Sequence, residues 1–533
     1  MAGTFLIPAR NYTTGEESIA RRLARRTDGP GSPSLPAMIS LPRLSRPLTI
    51  LAGCLALGAL AAAPAQASST PRSGIVAAYT LVVPTSISAS RLQARAVVPN
   101  GVTCPKVKKT YNDGHTSTQS MSMRVPGATT GAAFASLRAC QANLPSGLKS
   151  ASVGAIYVPA DLPKYTSKIA AFGDVGCRVI TKFVQNCASP DDWPLAKIAQ
   201  RVATEKPDVI FFTGDFLYRE ADCPAAELAK CGGSPGPAFA PEAGKFPPFS
   251  DTDYSWMADA LIPMAPAFAA APILVTRGNH ESCFRGGNGW MLFFEIQLRA
   301  DACAPDVAGP DGKTPKNMAA SYAVDFPITS KRKLRVVMVD SNEGSNTKVN
   351  SWTPTQRMGY EDASKLATPK SGRESWLITH RPMFGVDATP SFDPGELNWT
   401  SITQTAAAQG LIGNYNLMLA SHVHVAQVVK IPGQPSQLVL GNGGSVPDSF
   451  NPAEYPKPAY GPMNDDQGQP LKDSNGQPVT PYPNLDYLKT WIKYGYWVMT
   501  PKDKAGQWAI SQRDVNGMQF AKCGAAGQVV ACN

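Results

Sequence analysis

Five histidines occur in the 533 residues: His115, His280, His380, His422 and His424. Four of them close short apolar runs. His280 follows Gly278-Asn279, His380 follows Ile378-Thr379, and His422 and His424 flank Val423 after Ser421. Residues i and i+2 of an extended chain share a face, so these last two imidazoles can enter one site. Two other runs end in Gly-Asp, at Gly173-Asp174 and Gly214-Asp215, the second followed by Tyr218. A glycine before such a residue lets the chain turn sharply at a strand end. Carboxylate, amide and phenol oxygens and imidazole nitrogens are donors that hard and borderline cations accept. Two cations about 3.5–4 Å apart repel, and a shared carboxylate is the usual remedy. Asp174, Asp215, Tyr218, Asn279, His380, His422 and His424 stand at comparable positions and are candidate ligands for such a pair. One Gly-Asp or one histidine alone would read as a turn or a packing residue; the case rests on five motifs in one order. His115 lies in polar sequence and reads as exposed.

The elements that must position these residues alternate. Short apolar runs at 168–172, 208–213, 272–276, 334–339, 375–379, 416–420 and 438–440 each end in one of the motifs, in Asp340 or in Gly441-Asn442-Gly443-Gly444. A helix is expected over 193–205. Buried strands alternating with helices describe an α/β enzyme whose ligands sit beyond the carboxyl ends of the strands. Residues 168–533 form this catalytic part. Before it, 68–167 reads as a small β-rich N-terminal domain of sandwich type, with strands at 77–83 and 92–98 and one helix at 132–143. Strands are expected at 494–500, 507–512 and 519–523, with turns at 504–506 and Asn516-Gly517. Loops at 221–248, 302–317 and 447–484 either wall the site or are surface insertions.

Composition narrows the class. With 43% hydrophobic residues a mainly disordered chain is excluded, and with one long apolar run, near the start, so is a polytopic membrane protein. Residues 1–37 read as a polar upstream extension. Residues 38–67 have the order of a signal peptide: Arg43 and Arg46, an apolar stretch at 48–63, then Ala65-Gln66-Ala67. The mature chain is expected to be secreted or periplasmic, with no transmembrane domain; lipid attachment at Cys54, in Leu51-Ala52-Gly53-Cys54, is the alternative. Removing the leader takes seven arginines and three acids, so the net charge falls from +10 to +6. That excess suits an anionic small molecule. Basic runs interleaved with aromatics are missing, so no nucleic-acid module is expected. Ten of the 11 cysteines stay in the mature chain, and export suggests disulfides: 104/140, 177/187, 223/231, 283/303 and 523/532. A zinc cluster is the rival reading, and the absence of any CxxC disfavours it.

The order Gly173-Asp174-Val175-Gly176, Gly214-Asp215-Phe216-Leu217-Tyr218, Gly278-Asn279-His280-Glu281, Ile378-Thr379-His380 and Ser421-His422-Val423-His424 resembles the calcineurin-like metallophosphoesterases and, more narrowly, their purple acid phosphatase branch. The likeness covers about residues 168–532. Gly176 stands where most of that superfamily has histidine, and Tyr218 stands where the purple branch has its tyrosine. The resemblance implies a four-layer α/β/β/α sandwich and a two-metal site, Fe³⁺ plus a divalent ion (Fe²⁺, Zn²⁺ or Mn²⁺). It implies Asp174, Asp215, Tyr218 and His424 on the first metal, and bridging Asp215, Asn279, His380 and His422 on the second. A hydroxide held there would attack phosphorus, while catalytic His280 faces the substrate to orient the phosphoryl group or protonate the leaving oxygen. Arg277, Arg285 and Arg381 could clamp phosphate oxygens; each also reads as an ordinary surface or helix-end charge. Glu281 is expected to orient its loop, and Asp340 to be structural. Ser421 replaces the family's usual glycine and should make its turn less easily. The expected activity is hydrolysis of phosphate monoesters, acid phosphatase-like. The alternatives are a phosphodiesterase or nucleotidase on the same centre, or a non-catalytic surface binding protein. Oligomeric state is not legible.

Overall fold

In the computed structural model the described residues are 74–86, 89–124, 134–232, 251–283, 285–297, 318–387, 398–449, 463–464, 467–472, 476–479 and 485–533. The leader, Cys303 and most of the three long loops lie outside them. Residues Ser68–Asn533 form one compact unit.

The first sheet grows from three apolar tetrads and triads. Ile169–Phe172, Val209–Phe212 and Ile273–Val275 pair in parallel, and every residue in them is buried, as strands covered on both faces must be. Alternation sends Ala171, Phe211 and Leu274 to one core and Phe172, Phe212 and Val275 to another. The sheet has eleven strands. On one side it continues antiparallel through Gly495–Pro501, Gln507–Asp514, Gln519–Ala526 and Val529–Cys532. On the other, Ala77–Ser86 pairs in parallel with Ile273–Val275, and Ala89–Pro99 and Leu137–Leu144 follow antiparallel.

The second sheet has seven strands. Its middle, Lys333–Met338, Arg373–Ile378, Leu417–Ala420 and Gln437–Leu440, is parallel. The two sheets face each other across one apolar core, where Phe211 meets Phe326 with ring centroids 5.6 Å apart and Trp376 meets Trp508 at 4.5 Å. Helices Leu195–Glu205 and Ala265–Ala270 cover the outer face of the first sheet, and Thr353–Leu366 and Ile402–Ala408 that of the second. This is the expected four-layer order. Among the described residues no helix is long and apolar enough to cross a membrane.

One expected element is overturned. Residues 132–143 were to be a helix, but Leu137–Leu144 is a strand with eight paired positions against Ala89–Pro99. Its alanines are good helix formers, but propensity is a weak prior; the pairing with Ala89–Pro99 and the bond from Cys140 to Cys104 favour the sheet, and tertiary pairing wins. Four of the expected disulfides are present: Cys104–Cys140, Cys177–Cys187, Cys223–Cys231 and Cys523–Cys532. Cys283 is disulfide-bonded as well. His115 is exposed and sits on Asp113, and Gly517 makes the expected turn with φ 81°.

Candidate metal centre

Strands of both sheets deliver the candidate ligands to one place. Asp174, Asp215 and Asn279 follow the three parallel strands of the first sheet; His380, His422 and His424 follow two parallel strands of the second. Among the described residues, Asp174, Asp215 and His422 take positive φ, at 54°, 60° and 74°. A left-handed non-glycine costs about 1–3 kcal/mol, and such residues concentrate at functional sites. Glycines supply the room. A Cβ on Gly278 would lie 1.9 Å from Asp215 Oδ1, and one on Gly441 would lie 2.3 Å from Asp174 Oδ2. Ser421 does not carry the strain expected of it; His422 does. The Ser421 hydroxyl instead meets that of Thr213, over a Gly173 that has no Cβ to obstruct them.

The donors fall into two groups joined at Asp215. In the first, Tyr218 Oη lies 2.9 Å from Asp174 Oδ1, 2.7 Å from Asp215 Oδ2 and 2.8 Å from His424 Nε2. His424 Nδ1 is 2.9 Å from the Val446 carbonyl, which can only accept, so its proton is on Nδ1 and Nε2 is bare. One phenol proton thus faces three acceptors. In the second, His380 Nδ1 donates to the Thr213 carbonyl at 2.8 Å. Its Nε2 then points at two more acceptors, Asn279 Oδ1 at 2.9 Å and Asp215 Oδ2 at 3.2 Å. His422 Nδ1 lies 2.7 Å from the same Asn279 oxygen. Ligand atoms of Asp215, His380 and His422 all lie within 4.8 Å of one another. Converging lone pairs with too few protons are what cations resolve, so the residues fit two metal ions.

Electrostatics agree. Burial drives Asp174 well above the ordinary carboxylate range, and the Asp215 charge adds to it. Burial lowers His422 far below its usual value and takes His424 down to about 3, so both stay neutral and keep a lone pair. The supports are equally specific. Glu281 accepts from the amides of Asp215 at 2.9 Å, Phe216 at 2.7 Å and Gly278 at 3.1 Å, tying two ligand loops together. Burial, then Asp215, pushes its carboxyl up to about 8 against three N–H donors that favour the ionised form. Asp448 accepts the His424 amide at 2.8 Å.

The family model for the calcineurin-like phosphoesterases matches residues 167–426. This segment belongs to that family. The phosphoesterase domain is that of a metal-dependent phosphoric ester hydrolase. Among solved structures the chain is similar to a purple acid phosphatase from yellow lupin (Lupinus luteus) seeds, at 11% identity and TM-score 0.48, over 83% of this chain and 73% of that one. It is also similar to PhoD, at 13% identity and TM-score 0.46, over 86% and 91%. No curated protein matches the chain.

The phosphoesterase site opens into a cavity of about 440 Å³. His280 lines it, its ring 4.0 Å from that of Tyr218 and its Nδ1 3.4 Å from Glu220 Oε1. Arg285 and Arg381 line it too. Arg277 does not: it is buried behind, donating to the Glu281 carbonyl at 2.7 Å and facing Asp340 at 3.7 Å. Asp340 accepts from Ala319 and Asn342 and is structural. Sequence reasoning missed Arg178, Asn346, Trp399 and the pair Asp387 and Asp448 on the cavity wall. For Arg178 a signal existed, since it follows the Gly173-Asp174-Val175-Gly176 turn closely; Asn346 and Asp448 stand in loops, and Asp387 and Trp399 on the short paired strands Gly385–Asp387 and Asn398–Thr400, none with a motif.

Proposed function

We propose that the chain is a secreted phosphomonoesterase of the purple acid phosphatase kind, with Fe³⁺ held by Asp174, Asp215, Tyr218 and His424 and a divalent ion by Asp215, Asn279, His380 and His422. The observation that carries this reading is the Tyr218 hydroxyl, 2.7–2.9 Å from the three other donors of its group. When bound, the two cations would supply Lewis acidity to phosphoryl oxygens and lower the pKa of water. The protein's own groups do the rest. Arg178, Arg285 and Arg381 add positive charge around the cavity, which favours a monoester dianion over a singly charged diester. His280, on the wall beside Tyr218, orients the phosphoryl group or passes a proton to the leaving oxygen. Trp399 forms an apolar part of the wall. Four disulfides among the described residues suit an oxidising compartment.

The test pairs metal analysis with ester hydrolysis by the chain recovered outside the cytoplasm. Expected are one iron and one divalent ion per chain, a visible phenolate-to-iron band, faster release from p-nitrophenyl phosphate than from its bis ester, and an amino terminus at Ser68. Faster diester cleavage would replace the reading with a phosphodiesterase. No hydrolysis at acid or neutral pH, with both ions loaded, would leave a binding protein.

A further inference from the structure

The loop that brings His280 and Arg285 to the cavity runs directly into the short helix Gly287–Phe293. The two are joined by hydrogen bonds: the Gly286 amide donates to the His280 carbonyl at 2.8 Å, and the Trp290 amide to the Gly286 carbonyl at 3.1 Å. At the helix's amino end, Asp251 accepts from the amides of Asn288 at 2.8 Å and Gly289 at 3.2 Å. The carboxyl end is held by residues far upstream, outside the family match. Arg124 donates to the carbonyls of Met291 at 3.0 Å, Leu292 at 3.0 Å and Glu295 at 2.8 Å. Arg95 donates to those of Phe293 at 2.9 Å and Glu295 at 3.0 Å, and the Tyr79 hydroxyl to that of Phe293 at 2.7 Å. The last carbonyls of a helix have no partner within it; here they are covered by two guanidinium groups and a phenol.

The choice of residues matters. Arg95 is 0% exposed and Arg124 3%, and they lie close enough to repel. Burying two like charges is a poor way to gain stability, and apolar packing would serve as well or better. The negative end of the helix and Glu295 offset the charge. What a planar fork adds is fixed geometry. A helix of this length is a rod of about 10 Å, and a misplacement of about 1 Å at a reacting centre can cost about 10²-fold in rate.

We propose that Arg95 and Arg124 are positioning residues for ester hydrolysis: by clamping the carboxyl end of Gly287–Phe293 they hold its other end, and with it His280 and Arg285, in aim at the cavity. This rests on the phosphoesterase reading of the site, and it gives the N-terminal strands a part in the chemistry.

The experiment uses the full secreted chain with Arg124→Gln, Arg124→Lys and Tyr79→Phe, each alone and with His280→Ala. Arg124→Gln should lower kcat/KM about tenfold on an alkyl phosphate and only about twofold on an aryl phosphate, because a poor leaving group depends more on His280. Metal content should stay at the wild-type level. Amide exchange should quicken over 279–293 and not over 441–448. In the His280→Ala background Arg124→Gln should cost the same factor on both esters. Arg124→Lys should recover part of the loss, and Tyr79→Phe should repeat the pattern at about twofold. Equal losses on both esters, in both backgrounds, or exchange that is unchanged or uniformly raised, would overturn the proposal. If Arg124→Gln does not fold, the two milder variants decide on the same readouts. If the wild-type chain hydrolyses neither ester, the phosphoesterase reading falls. Exchange over 279–293 then decides the clamp by itself.

Discussion

The two halves of the metal centre are unlike. Around Tyr218 the donors are a phenol, two carboxylates and one imidazole, all buried. Around His380 they are two imidazoles and an amide beside the shared Asp215 carboxylate, and His422 reaches the cavity half-buried. Both halves meet the cavity, the first through Tyr218 and His424 and the second through Asn279 and His422; what differs is that the first gathers two carboxylates and a phenol, and the second has only the shared carboxylate. Hard anionic donors suit a more highly charged ion, and borderline neutral donors suit a divalent one. The unlikeness comes down to one residue: without Tyr218 both halves would be carboxylate–imidazole sites able to hold the same ion.

Asp215 belongs to both halves, so its loss should have the largest effect. Asp215→Asn is the informative variant, because asparagine tolerates the left-handed φ of 60° and isolates the loss of charge from backbone strain. We expect both ions to bind weakly and phosphate release to fall by at least about 10³-fold; two metals per chain at wild-type activity would remove Asp215 from the bridge. Tyr218→Phe comes next. It should abolish any visible band and empty the first position while the second stays filled, with activity down about 10²-fold. A wild-type chain loaded with iron and lacking the band would mean both halves hold divalent ions.

The floor of the site was far more legible in the sequence than its walls. Asp174, Asp215, Asn279, His380, His422 and His424 each close an apolar run, and a strand that ends in a polar donor is visible as a pattern. The walls follow no period. Arg178 stands on a three-residue strand, Asn346 and Asp448 in loops, and Arg95 and Arg124 act from a region with no motif of its own. Their roles depend on pairings hundreds of residues apart, such as Arg95 with Phe293. The failed helix at 132–143 has the same cause, since its alanines belong to a strand only once Ala89–Pro99 lies beside it. Ser421 shows a finer limit: the turn was legible, but not that its strain falls on the next residue.

His422 tests the second half in isolation. With φ at 74°, alanine there would confound ligand loss with strain, so His422→Asn is preferred to His422→Ala. The second ion should be lost, turnover should fall about 10²-fold, and the thermal midpoint should change little. Equal occupancy of both positions in the variant would refute the assignment, and loss of the first ion instead would reverse the two halves.

The smallest effect expected lies one shell further out, at Asn346. His422 Nδ1 can offer a lone pair to a cation only if its proton is on Nε2, and Nε2 faces two competing neighbours: Asn346 Oδ1 at 2.9 Å, an acceptor, and Arg381 Nη1 at 3.0 Å, a donor. Asn346 also accepts from Arg381, which draws the guanidinium toward the amide oxygen. Remove that oxygen and Arg381 donates to Nε2, sending the proton to Nδ1 and closing the lone pair to metal. Asn346→Ala should therefore weaken the second ion about tenfold and leave the first position and its visible band unchanged, as read by metal titration of the apoprotein. Asn346→Asp keeps the acceptor and should restore affinity. If alanine and aspartate behave alike, the tautomer of His422 is not set by this side chain, and the two halves differ only in their donors.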